Sequence, residues 1–169
     1  MNSFGRFALF VDGPGLHASA RALGLEIDFK RLLQHFVQQG SLVRAHYYSP
    51  RAMSGEPNFV RHLLDWLSYN GYTVIAKPVR DTGKNPVAID LAVDAMEIAG
   101  RVDQIVLFAG DADYGPLVTA LQKKGKRVVL ISSTRAKRSG VSPELHRQAD
   151  GFIELASLAD AIARRPGQG

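Results

Sequence analysis

Residues 7–11 (FALFV) and 105–109 (IVLFA) are apolar without a polar alternate. That pattern suits strands covered on both faces rather than strands with one wet side. Further runs with strand bias cover 42–48, 72–76 and 127–132, and segments of helical period lie between them. Asp28 stands as an N-cap ahead of apolar residues at 29, 32, 33, 36 and 37. Residues 58–68 put Phe59, Leu63, Leu64 and Leu67 on one stripe, with Trp66 read as core. Residues 88–99 and 114–122 also read as helices, the second running into Lys123, Lys124 and a Gly125 stop. A run at 152–155 predicts an edge strand and 157–165 a closing helix. Alternation of this kind predicts an α/β fold, a single Rossmann-like domain whose mainly parallel sheet of about five to six strands is flanked by helices.

The 169 residues fit one domain, expected over 1–165 with 166–169 as a frayed, flexible tail. The absence of cysteine excludes disulfides, thiolate metal sites and a Cys nucleophile. The apolar runs are too short to span a bilayer. Residues 1–6 lead straight into the first strand run instead of a signal-peptide core. A cytoplasmic protein with no membrane partner is expected.

In an open α/β sheet, ligands bind beyond the carboxyl ends of the strands. Asp12 follows the first strand run, and Asp111 and Asp113 follow the fourth. Asp90 and Asp94 lie four apart in a helical stretch, so they share a face with roughly 6 Å between them along the axis. Each has a local explanation: Asp12 before Gly-Pro-Gly suits an Asx turn, and Asp113 suits a helix cap near Tyr114. For the set, a shared divalent cation is the simpler account, because Mg²⁺ and Mn²⁺ favour carboxylate oxygen and can activate water. Setting these five apart leaves 11 of the 16 acidic residues against 21 Lys and Arg. A surface so basic fits a phosphate backbone. Arg51, Arg80, Lys84, Arg135, Lys137 and Arg138 all follow predicted strands and are the candidate nucleic-acid contacts. Tyr47, Tyr48 and Tyr114 could stack an unpaired base but read first as core or rim aromatics; His35, His62 and His146 lack metal-ligand spacing, and none of the five histidines is assigned to the site.

Other chemistries fit poorly. The turn after the first strand lacks the third glycine of a dinucleotide fingerprint and holds Pro14 inside it. No P-loop occurs, Pro14 stands where an aspartyl phosphatase wants its second acid, and no nucleophile elbow is present.

The segments FALFVDGPGL, AIDLAVDAM, IVLFAGDADYGPLVTALQKKGKRVVLI and LHRQADGFIEL resemble, in order, the NYN domain of the PIN-like nuclease group, in its LabA-like branch. The resemblance implies a PIN-like fold and an Mg²⁺- or Mn²⁺-dependent (endo)ribonuclease. On its motifs Asp12, Asp90, Asp111 and Asp113 are the catalytic and metal-binding acids, with Asp94 a further metal ligand. RNA is the expected partner, DNA is not excluded, and a homodimer is compatible. Three positions depart from the family pattern: its Asn falls on Gly15, its Ser or Thr on Ala109, and a basic residue on Val87. The second reading is therefore a catalytically weakened or inactive NYN module that binds nucleic acid or regulates.

Overall fold

The computed structural model describes residues 3–52, 54–79 and 84–167. Its centre is a sheet of six parallel strands, β1 (Arg6–Asp12), β2 (Ser41–Arg51), β3 (Thr73–Pro78), β4 (Gln104–Phe108), β5 (Arg127–Ser132) and β6 (Gly151–Glu154). They lie in the order β3-β2-β1-β4-β5-β6. The expected sheet is present, and the chain reverses its direction of travel between β1 and β4. The two uninterrupted apolar runs are these two neighbouring central strands.

Strand alternation divides β1 between two cores. Phe7, Leu9 and Val11 face one layer and Ala8 and Phe10 the other. The first layer holds α1 (Gly13–Ala22), α2 (Phe29–Val37) and α3 (Asn58–Tyr69), closed by α7 (Ala159–Ile162). The second holds α4 (Ala88–Ile98), α5 (Gly115–Lys123) and α6 (Pro143–Gln148). Tyr47 and Tyr48, adjacent on β2, are buried in opposite layers, and Tyr114 is buried with the second. All three are core aromatics, as the sequence suggested.

Helix α1 was not legible as such. Residues 12–15 read as a turn, whereas Asp12 caps the helix through a bond from the Gly15 N–H, and Pro14 sits in its first turn. The same chemistry starts α6, where the Ser142 hydroxyl accepts from the Leu145 N–H ahead of a first-turn proline. Trp66 is a correction of another kind: it is 38% exposed. The core stripe of α3 is carried by Leu64 and Leu67, and Trp66 lies beside it. No helix among the described residues is long and apolar enough to cross a membrane.

Candidate functional site

The carboxyl ends of β1 and β4 flank the topological switch, the expected place for a ligand. A cleft of about 840 Å³ opens there, lined by Asp12, Asn85, Asp111 and Arg138 among others. Asp12 is 2% exposed. Its Oδ2 accepts from the Tyr114 hydroxyl at 2.7 Å and from the Asn85 amide at 2.8 Å, and its Oδ1 from the Gly15 N–H at 3.4 Å. Burial and the Asp12 charge raise the Tyr114 hydroxyl, so it stays protonated and donating at neutral pH. Asn85 was not singled out in the sequence. Its side chain also accepts from the Val87 N–H, so one amide both orders the approach to α4 and holds Asp12.

Burial pushes the Asp12 carboxyl above its usual range, and the Asp111 charge adds to this. The bonds from Tyr114, Gly15 and Asn85 pull the other way. With the folded-state pKa raised, the folded chain holds this proton more tightly than the unfolded one. The Asp12 contribution is then most favourable in acid, declines as pH rises from the ordinary carboxylate range through the raised value, and stays low above it. Asp12→Asn is expected to flatten this part of the stability curve, read from urea midpoints between about pH 4 and 7. Parallel curves for variant and wild type would contradict it. Tyr114→Phe removes one donor from a buried carboxylate and is expected to cost about 1–2 kcal/mol at pH 7. A melting midpoint unchanged from wild type would contradict the role given to this hydroxyl.

The remaining acids are placed differently. Asp111 is exposed and accepts from the Asp113 N–H at 2.9 Å, capping the short 3₁₀ turn Ala112–Tyr114. The cap near Tyr114 is thus Asp111 in place of Asp113, which is exposed on the turn. On α4, Asp90 is ion-paired with Lys77 of β3 at 2.8 Å. Asp94 accepts from the Tyr48 hydroxyl at 2.7 Å, and that hydroxyl is raised first by burial and then by this bond. The two helix acids share a face as their spacing required, but each already has a protein partner, and neither lines the cleft of Asp12 and Asp111. Among the described residues no three His, Asp or Glu side chains come together as ligands for an ion. Of the acids expected to share one Mg²⁺ or Mn²⁺, the described residues bring Asp12 and Asp111 to the cleft and leave Asp90 and Asp94 with partners of their own.

The basic candidates also separate. Arg138 lines the cleft, while Arg135 and Lys137 are exposed on the same β5–α6 loop. Lys84 is exposed ahead of α4, and Arg51 is paired with Glu56 at 3.4 Å. Arg80 lies outside the described residues. Arg138 has φ 65°, a left-handed conformation uncommon for a residue with a side chain. Its loop is fastened on both sides: Val141 N–H donates to Ser133 O, Ser142 N–H to Gly110 O, and the Ser19 hydroxyl to Ser139 O.

This arrangement, with an aspartate ending each of two central strands and a parallel sheet reversing between them, agrees with a sequence match to the NYN domain over residues 6–156. The chain belongs to the NYN family. This NYN domain has the PIN-like, Rossmann-like architecture that its sequence implied. It is similar to the low amplitude and bright protein LabA of Synechococcus elongatus, with 25% identity over 171 residues, covering 94% of this chain and 88% of that protein. An uncharacterized protein of Methanocaldococcus jannaschii is 25% identical over 152 residues. That match takes in 89% of this chain but 55% of the relative, so the chain spans about half its length. A crystal structure of a protein of unknown function from Vibrio parahaemolyticus superposes with a TM-score of 0.76 at 25% identity, covering 92% of this chain and 95% of that one. Fold and family together make the NYN domain a member of the PIN-like nuclease superfamily.

Proposed function

We propose that this NYN domain binds an RNA backbone in the Asp12–Asp111–Arg138 cleft and has weakened or lost hydrolysis. The observation that carries this is the division of the acids between separate sets of protein partners. Asp12 is held by Tyr114, Asn85 and Gly15, Asp94 by Tyr48, and Asp90 by Lys77. A cation held jointly by these acids would have to draw Asp90 from Lys77, and the acids on α4 would have to turn toward the cleft of Asp12 and Asp111. The absence of the family's polar groups at Gly15 and Ala109 points the same way. Binding fits the remaining features: a cleft at the sheet switch, Arg138 on its wall, Arg135 and Lys137 on the same loop, and a net charge of +5.

The second reading is a metal-dependent ribonuclease. It is favoured by family membership and by one geometric fact, that Asp12 and Asp111 share the cleft. The two separate in a single assay of wild type and Asp111→Asn on end-labelled single-stranded RNA, with Mn²⁺ or Mg²⁺ and with EDTA. Binding in EDTA at low salt, weakening as salt rises, with cleavage no greater than that of Asp111→Asn, is the expected result. Metal-dependent cleavage that EDTA stops and Asp111→Asn abolishes would establish the ribonuclease instead.

A further inference from the structure

A second and larger cavity, of about 1180 Å³, lies on the α1–α2–α3 side of the sheet. It is lined by Phe59, Leu63 and Trp66 of α3 and by His17 of α1 and Tyr47 of β2, among others. Phe59 and Trp66 are seven residues apart and therefore nearly in line along the helix. Both rings keep surface open to solvent, at 74% and 38% exposure. Apolar rings left exposed together along one groove mark an interaction surface.

We propose that this groove receives the unpaired bases of a single-stranded RNA whose backbone lies in the Asp12–Asp111 cleft. The inference rests on the nucleic-acid function proposed above. Continuity supports it: Pro14 and Pro50 line both cavities, so a strand leaving the cleft passes directly over them into the groove. Its polar floor is the bond of 2.6 Å between His17 Nε2 and the Tyr47 hydroxyl. Desolvation first, and the Arg21 charge second, lower the His17 pKa. Arg21, Lys30 and Arg164 at the wall outnumber Glu26, which is paired with Arg164, and Asp28, which caps α2, and leave positive charge for the phosphates between bases. Exposed aromatics that stack bases without sequence preference are the usual platform of single-strand binding.

Trp66 is the sole tryptophan and so reports on the groove directly. The experiment titrates full-length protein with a short single-stranded RNA and with an abasic strand of equal length. End-label anisotropy gives binding, and Trp66 emission gives groove occupancy. RNA should bind and quench Trp66, and the abasic strand should bind without quenching. Phe59→Ala should weaken RNA by roughly tenfold, the worth of one base stack, and leave the abasic strand unchanged. Phe59→Leu, which keeps an apolar side chain and removes only the ring, should do the same if the alanine variant misfolds. Equal binding of both strands with Trp66 undisturbed would overturn the groove and leave the cleft standing. Binding of neither strand would overturn both. Trp66 emission that shifts with protein concentration alone, alongside dimer formation in sedimentation, would assign the groove to a second copy of the chain and overturn the proposal.

Discussion

Gly140→Ala is expected to lower stability by about 3 kcal/mol and to weaken RNA binding at the same time. A Cβ at Gly140 would fall 2.1 Å from Ser133 O and 2.7 Å from Ala136 O. Both are backbone atoms, which cannot swing aside as a flexible side chain does. The opposite wall is equally close, since a Cβ at Gly110 would meet Gly140 O at 2.7 Å. The loop must therefore open, losing the bonds from Val141 to Ser133 and from Ser142 to Gly110 that tie it to the ends of β5 and β4. Overpacking alone is worth about 1–3 kcal/mol, and each lost buried backbone bond adds about 1 kcal/mol. Chemical denaturation checks the stability and filter binding checks the affinity. A variant with wild-type stability would show that the loop closes by some other packing.

Arg138→Gly in the same loop should separate these two effects. Removing the side chain relieves a left-handed conformation that costs about 1–2 kcal/mol for a residue with a Cβ. Greater freedom of glycine in the unfolded chain returns about 0.5–1 kcal/mol of that, so a net gain of a few tenths to about 1 kcal/mol is expected. Loss of the guanidinium from the cleft should reduce RNA affinity about tenfold at low salt. It should also lower the slope of log affinity against log salt by about 0.7, the value for one phosphate contact on a single strand. A strained residue whose removal stabilises the fold and impairs binding is retained for what its side chain does. Unchanged affinity in Arg138→Gly would instead make the strain a local accident of the turn.

Much of this architecture could be read before any coordinates because burial on both faces leaves an unambiguous mark. The runs at 7–11 and 105–109 identified the two central strands, and the aspartates just beyond them marked the switch. The exceptions follow from what sequence periodicity does not carry. Helix α1 was hidden because Gly13, Pro14 and Gly15 look like a turn, although the same residues give a helix its N-cap and proline start. Asn85 left no periodic signal at all: it sits in a loop, and its importance comes from meeting Asp12, 73 positions away. Spacing placed Asp90 and Asp94 on one helix face. Nothing in the spacing revealed that Lys77 of β3 and Tyr48 of β2 would engage them there. Among the basic candidates, only the fold could separate Arg138, which lines the cleft, from Arg51, which is paired with Glu56. Trp66 reads as core because its helical position falls near the core stripe, whereas it lines a groove and is partly exposed.

Everything proposed for the cleft depends on its aspartates standing apart from the two acids of α4. A crystal of the chain soaked in Mn²⁺, with anomalous scattering to locate the ion, examines that directly. The expected map shows no ion held by three protein carboxylates, with Asp12 still bonded to Tyr114 and Asn85 and Asp90 still paired with Lys77. An ordered Mn²⁺ drawing Asp12, Asp111 and either Asp90 or Asp94 around one point would contradict it and restore the hydrolytic site.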